Sequence, residues 1–387
     1  MAILRRVILK GFKSIRSMDL ELRPLNVLIG ANGAGKTNLV SFFKMLNRMM
    51  SRTSAGLGQL QNYIAESGYA HSLLYYGPKE TPQMEATLEF ETDAGLNTYY
   101  QRLFHVAGDT LAFAEETLDF KRRDWQGPYK PPLSLGGGHR ETRIGEEADR
   151  GNQTAGVFRH LLGQCRVFHF HDTSPTARIR QRCYIGDNRW LMPDAGNLAA
   201  FLLRLRGESR TVYDRIVTTI RLVAPFFIDF DLEPAGTNES YVLMNWLEDC
   251  GVLNSVTGTG GSSQVFGPHQ LSDGTLRAIC LVALLMQPED ELPDLIIVDE
   301  PELGLHPYAL NLVAGLFKKA SHHTQVLIST QSSAFLDHFD AEDVVVVSRE
   351  GNESRFERQS AEKLEAWLDD YGLGDVWEKN VIGGGPH

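Results

Sequence analysis

The residues with the clearest chemistry are Gly30-Ala-Asn-Gly-Ala-Gly-Lys-Thr37, which fit the pattern GxxxxGK[ST]. The octet follows a short apolar run and precedes residues at helical spacing, the context in which it forms a phosphate-binding P-loop. Its glycines let backbone N–H groups wrap a triphosphate, and the start of the following helix adds positive potential. Asn32, Gly33, Ala34, Gly35, Lys36 and Thr37 are therefore expected to bind ATP, with Lys36 reaching the β- and γ-phosphates and Thr37 placing its hydroxyl on Mg2+. A second pair, Asp299-Glu300, ends the apolar run Leu295-Ile-Ile-Val298 in a Walker B arrangement. Asp299 is expected to hold Mg2+ through water, and Glu300 to orient and polarise the attacking water.

Positioning these groups requires an α/β framework. Ile3 to Lys10, Met18 to Leu22 and Asn26 to Gly30 alternate as short strands. A helix is expected from about Lys36, with Leu39, Phe42, Phe43 and Leu46 on one face. Residues 51–85 read as loop, and Met84 to Phe90, Thr98 to Val106 and Leu111 to Phe120 as a meander of strands. Trp125 to Gly138 reads as an exposed loop, 154–225 as mostly helical, and the stretch containing Gly258, Gly260, Gly261, Ser262 and Ser263 as a loop. Beyond it, Leu276, Ile279, Cys280, Ala283 and Leu284 recur at helical spacing, and a helix starts at Pro307. Val326 to Ile328 and Val344 to Val347 complete a strand–helix–strand alternation that implies a parallel sheet covered on both faces. Chemistry in such sheets lies at the carboxyl ends of the strands, where the polar residues fall here. The expected divisions are an N-terminal lobe over 1–120, a mainly helical insertion over 121–263 and a C-terminal lobe over 264–387.

Composition narrows the classes. A chain of 387 residues, 42% hydrophobic and 22% charged, builds a sizeable core in one large or two to three ordinary domains. No apolar run approaches the roughly 20 residues of a bilayer span, and no secretory leader is evident. Cys165, Cys183, Cys250 and Cys280 lie far apart without a CxxC pair, which fits a cytoplasmic protein. The formal charge of −11 excludes a general basic coat for nucleic acid. Between Arg159 and Arg221, however, eleven arginines face five acids, a local excess that suggests a surface for DNA or an acidic partner. His169-Phe-His171-Asp172 offers alternating histidines for a metal, but with no partner cluster it reads as structural or as part of an interface.

Leu271-Ser-Asp-Gly-Thr275 resembles the ABC ATPase signature, usually Leu-Ser-Gly-Gly-Gln. With Asn38 after the P-loop, Pro301-Glu-Leu-Gly-Leu-His-Pro307 and Ser329-Thr-Gln-Ser-Ser333, the pattern is similar to the heads of SMC and RecF proteins and to OLD-type ATPases. The segment Trp367-Leu-Asp-Asp-Tyr-Gly-Leu-Gly-Asp-Val-Trp377 resembles the end of stand-alone bacterial ATPases of this group. The resemblance covers 1–50 and 265–348 and implies a P-loop NTPase of the ABC/SMC-head type, with antiparallel strands in its N-terminal lobe and a helical insertion. It adds Asn38 to the nucleotide set and implies that Ser272 and Gly274 cap the γ-phosphate of ATP held by a second copy, in a homodimer around two ATP. It places Gln331 at the position of the switch histidine, among the catalytic groups with Glu300 and Lys36.

Two departures stand out. Asp273 replaces the first signature glycine, putting an anion near the phosphate unless Arg277, one turn into the helix, compensates. Gln331 can hydrogen-bond a phosphate but cannot carry a proton as histidine does, which implies slow turnover. His306 is the alternative sensor, though equally a structural histidine, and the Q-loop glutamine is unassigned, with Gln83 only a candidate. The function implied is an ATP-gated head in a DNA-related process, repair or anti-phage defence. With no Toprim nuclease cluster evident, a separate effector would cut. The alternative is the nucleotide-binding subunit of a membrane ABC transporter, against which stand the long spacing from Lys36 to Ser272 and the atypical signature. A P-loop kinase or GTPase is disfavoured because no guanine motif occurs.

Overall fold

The computed structural model describes residues 2–53, 56–57, 59–124, 127, 131–234, 239–249, 263–368 and 370–385. Cys250, Trp125, Pro128 and the expected loop glycines Gly258, Gly260 and Gly261 lie outside them. Strands β1 (Ile3–Phe12), β2 (Ile15–Glu21) and β3 (Leu25–Ile29) lead into helix α1 (Lys36–Met50). Helices α2 (Leu60–Glu66) and α3 (Tyr69–Leu73) follow, then β4 (Gln83–Thr92), β5 (Gly95–Val106), β6 (Thr110–Arg122) and β7 (Leu133–Gly136). Next come α4 (Ile144–Asp149), α5 (Gln153–Gly163), β8 (Cys165–Phe168), α6 (Leu198–Glu208) and α7 (Arg210–Val223). After β9 (Phe227–Asp231), β10 (Asn245–Asp249) and β11 (Ser263–Phe266) stand α8 (Asp273–Leu285), β12 (Leu295–Asp299) and α9 (Pro307–Ala320). The last stretch holds β13 (Gln325–Thr330), α10 (Ser333–Leu336), β14 (Val344–Glu350), β15 (Glu353–Arg358), α11 (Ala361–Leu368) and α12 (Leu373–Glu378).

These elements form two compact units, one of 1–167, 293–299 and 324–387, the other of 168–292 and 300–323. The first unit carries an antiparallel sheet in the order β2-β1-β4-β5-β6-β7, and a second sheet in the order β8-β12-β13-β3-β14-β15. Alternation drives the antiparallel sheet: Met84, Ala86, Leu88 and Phe90 of β4 are buried while their neighbours are half-exposed. In the second sheet β12, β13, β3 and β14 run parallel, with β15 antiparallel at one edge. Every residue of β12, β3 and β13 is buried, as strands covered on both faces require. Helix α1 buries Leu39, Phe42, Phe43, Leu46 and Met49, and Phe42 meets Phe12 edge to face at 5.9 Å. In the second unit α8 packs against both α7 and α9, and Trp246 of β10 stacks near Phe266 at 5.0 Å.

Three expectations need correction. Residues 51–85 are not all loop: α2 and α3 bury Leu60, Tyr63, Ile64, Ala70 and Leu73. Such short helices are marginal alone and are held by that burial. Part of 125–138 is the strand β7, paired with β6. The helical reading of 154–225 fails between α5 and α6, where Cys165–Phe168 is a strand at one edge of the parallel sheet and only the turn Arg178–Arg180 is helical. Asn47 of α1 fixes that strand, donating to the Cys165 carbonyl and accepting from Val167 N–H at 3.2 Å.

Candidate nucleotide site and signature segment

Register brings the first unit's chemistry to one edge. Ile29 pairs with Thr330, and Asp299 pairs with Ser329. The P-loop, Gln331 and Asp299 therefore all stand at the carboxyl ends of adjacent parallel strands, where open α/β sheets bind ligands.

The P-loop bends at Gly33 (φ +80°) and Gly35 (φ +116°), conformations open to glycine but costly for other residues. A Cβ on Gly35 would lie 2.0 Å from Ser354 Oγ, so this turn is closed against β15 as well as bent. Ser354 Oγ donates to the Ala34 carbonyl at 2.5 Å and lies 2.6 Å from Ser14 Oγ, to which Asn38 Nδ2 donates at 2.6 Å. Lys36 is buried, and its ammonium donates to the carbonyls of Gly30 and Ala31, the latter at 3.2 Å. Asn32, Gly33 and Thr37 are exposed, leaving the Thr37 hydroxyl accessible at the start of α1.

Beside the loop opens a cleft of about 620 Å³ lined by Lys13, Ser14, Asn38, His71, Tyr76 and Arg349. Lys13 donates to Ser41 Oγ at 2.7 Å, and burial, then the nearby Lys44 cation, pushes its ammonium below the usual lysine value. Arg349 donates to the Gly33 carbonyl at 3.3 Å. Lys13, Ser14, Ser354 and Arg349 were not singled out from the sequence. The Gly11-Phe-Lys-Ser14 turn between the first two strands is the signal that could have marked two of them.

Asp299 is buried at the end of β12, and Ser329, its register partner, is fully buried with no hydrogen bond to its hydroxyl among the described residues. Together with Thr37 these are hard oxygen groups, the kind Mg2+ takes. Glu300, half-buried, adopts φ +44°, a left-handed conformation that costs a non-glycine residue energy and recurs at functional sites.

In the second unit Ser272 caps α8, its Oγ accepting from Thr275 N–H at 3.2 Å. Gly274 is required by packing: a Cβ there would lie 2.2 Å from the Gly304 carbonyl. Arg277, the cation that could have compensated Asp273, does not pair with it. Arg277 instead donates to the carbonyls of Phe170, His171 and Leu303 at 3.1, 3.0 and 2.9 Å. The partner of Asp273 is Arg180, at 2.9 Å, a guanidinium only 5% exposed that also donates to the carbonyls of Thr173, Pro268 and Leu271.

His306 accepts from Tyr308 N–H at 3.3 Å as the cap of α9, a structural role. His169 and His171 follow the end of β8 rather than alternating along it, and the described residues contain no cluster of three metal-ligating side chains. Gln83 opens β4, its amide donating to Glu85 at 3.2 Å. Many arginines of 159–221 are paired: Arg178 with Asp194, Arg204 with Glu291, Arg206 with Glu233 and Arg210 with Asp214. Two of these acids, Glu291 and Glu233, lie outside the segment and offset part of its charge excess.

Parts of the sequence, and the fold, are similar to known proteins. A family described as "AAA domain, putative AbiEii toxin, Type IV TA system" matches residues 185–337. RecF, a DNA replication and repair protein, from Enterobacter sp. (strain 638) is 34% identical over 79 residues, 20% of this chain and 22% of that protein. RecF from Actinobacillus pleuropneumoniae is 35% identical over 75 residues, 19% of this chain and 21% of that protein. The chain thus matches about a fifth of the length of these curated relatives. Among solved structures, an Smc head bound to the C-winged helix domain of ScpA aligns over 94% of this chain and 99% of that chain, with TM-score 0.54 and 15% identity. The Pyrococcus furiosus Smc head with an extended coiled coil, bound to the C-terminal domain of ScpA, aligns over 96% of this chain and 99% of that chain, with TM-score 0.55 and 14% identity. The fold is that of an SMC-type head, a mixed α/β P-loop architecture. In motif order the chain is similar to SMC/RecF-like ABC-type ATPases. Among the described residues no helix is long and apolar enough to cross a membrane.

Proposed function

We propose that the chain binds ATP at the P-loop, hydrolyses it slowly, and forms a homodimer around two ATP that gates a DNA-related process. The observation that carries this reading is the buried Lys36 within a glycine-bent loop, at the same sheet edge as the buried Asp299. The loop's N–H groups and Lys36 bind and orient the β- and γ-phosphates. Thr37 and Asp299 would hold Mg2+, which supplies charge neutralisation at the phosphate oxygens. Glu300 orients the attacking water and accepts its proton, while Gln331 donates a hydrogen bond to the γ-phosphate. The signature residues Ser272 and Gly274 act on the nucleotide of the second copy. The RecF relatives favour DNA repair as the setting, and the matched family's toxin description keeps defence as the second reading. In either setting a separate effector acts downstream. A transporter subunit is not favoured, since the similarities are to RecF proteins and SMC heads.

Calorimetric titration with ATP and Mg2+ tests the first step, and sedimentation with and without ATP the second. Lys36→Ala should abolish binding. Glu300→Gln should keep binding, lose turnover by about a hundredfold or more, and accumulate as an ATP-dependent dimer. Wild-type protein that binds no adenine nucleotide ends the proposal, and a Glu300→Gln variant that stays monomeric with ATP ends its dimer mechanism.

A further inference from the structure

We infer that the segment Leu373–Gly385 is a clamp on the nucleotide loop, with Gly384 and Trp377 as its positioning residues. The inference rests on the P-loop reading above and adds a part of the chain to that site.

The contact is specific. The Gly384 carbonyl accepts from Ala31 N–H at 3.0 Å and from the Trp377 indole N–H at 3.0 Å. Ala31 is the second residue of the P-loop, and its own carbonyl accepts from the Lys36 ammonium at 3.2 Å. One residue is thus held at its N–H by the clamp and at its C=O by the lysine. Packing repeats the contact. A Cβ on Gly384 would lie 2.9 Å from the Val347 carbonyl, and a Cβ on Gly30 only 2.2 Å from the same carbonyl. The middle of β14, at Val347, is therefore wedged between the clamp and the first P-loop glycine.

The same segment is anchored beyond Gln331. Gly374 N–H donates to Asp337 Oδ1 at 2.6 Å, and a Cβ on Gly374 would lie 2.5 Å from the Ser333 carbonyl at the start of α10. Trp377 and Val376 are buried in this arrangement. The segment therefore touches both the entry of the P-loop and the helix that begins two residues after Gln331.

A glycine-rich loop pays conformational entropy to take one shape around a triphosphate. Holding its second residue removes part of that cost before the ligand arrives. None of the clamp contacts above involves Asp299 or Glu300, so the clamp governs affinity rather than the chemical step.

A matched pair of glycines provides the test. Gly383 (φ +76°) and Gly384 (φ +64°) both have left-handed backbones, but a Cβ on Gly383 meets nothing within 4 Å. Gly384→Ala should raise the Kd for ATP about tenfold, with kcat at saturating ATP within about twofold of wild type. Gly383→Ala should change Kd no more than about twofold. Trp377→Phe, which removes the indole donor, should raise Kd about threefold and speed hydrogen exchange in the peptide containing Ala31 in the absence of nucleotide. Equal weakening by both glycine variants would reduce the effect to backbone strain and overturn the inference. So would unchanged exchange around Ala31 in Trp377→Phe, or a fall in kcat at unchanged Kd. If Gly384→Ala fails to fold, the Trp377→Phe measurements decide alone. If wild-type protein binds no ATP, the nucleotide reading fails, and the apo exchange still judges the clamp.

Discussion

The P-loop of the first unit and the signature segment of the second solve similar problems by different means. The P-loop is shaped by backbone and small groups: Gly33 and Gly35 at positive φ, two serine hydroxyls, and one lysine lying on carbonyls of its own loop. The signature segment is held by two arginines, Arg180 and Arg277, that gather carbonyls from loops distant in sequence. A cradle made of backbone must be written locally, so it shows as a motif. A segment held by long side chains tolerates a departure such as Asp273 because a cation elsewhere can answer it.

The comparison breaks most sharply at Gly35. Gly35→Ala combines left-handed strain with a Cβ 2.0 Å from Ser354 Oγ, so nucleotide affinity should fall about a hundredfold or more. Gly33→Ala, at φ +80° in open space, should cost about tenfold or less by the same calorimetry. Equal losses would show that Ser354 does not buttress the loop.

Arg180→Met tests the other side. It strips hydrogen bonds from buried carbonyls and leaves Asp273 without its cation, so the second unit should lose about 2–4 kcal/mol in a denaturant titration. Asp273→Gly should cost about 1 kcal/mol or less, because the Asp273 side chain is 61% exposed and its pair is solvent-screened. A larger loss from Asp273→Gly than from Arg180→Met would mean that the carboxylate, not the guanidinium, organises the signature.

The smallest effect sets a baseline outside both regions. The hydrogen bond from His71, helped by a second from His105, holds the Asp109 carboxyl below the usual carboxylate range. A depressed folded pKa adds stability above the unfolded value near 3.9, and that stability is lost as pH falls through the folded value. The stability difference between wild type and Asp109→Asn should therefore be a few tenths of a kcal/mol near neutral pH and shrink below about pH 4. A difference that grows toward acid would reverse the assignment.

The same contrast explains what the sequence made legible. Period-two strands, the apolar runs 295–298 and 326–328, and the P-loop are local patterns, and each stands where expected. For Asp273 the sequence offered only the nearby Arg277 as a compensating cation, while Arg180 reaches it across 93 residues. Arg180 had been counted into a surface charge excess, yet its side chain is buried. Burial of a charge has no local signature. Lys13 and Ser14 were passed over for a related reason: they belong to a two-residue turn whose importance comes from β15 and α1 packing beside it. The strand at Cys165–Phe168 escaped because four residues between helical patterns give no period of their own, and its place is fixed by the neighbouring β12 and by Asn47.

The position of β3 also bears on how the protein is made. Its two sheet neighbours pair through Val326 with Leu25 and Val344 with Val27, so the strand that launches the P-loop has no neighbour in its sheet until the first of them has left the ribosome. At about 5–20 residues per second, roughly 300 residues of synthesis take about 15–60 s. The meander of β4, β5 and β6 can form in that time, whereas the P-loop strand waits with unpaired edges, a natural client for a chaperone. A premature stop before Gln325 would leave every residue of the P-loop motif in the product and neither of the strands that flank β3.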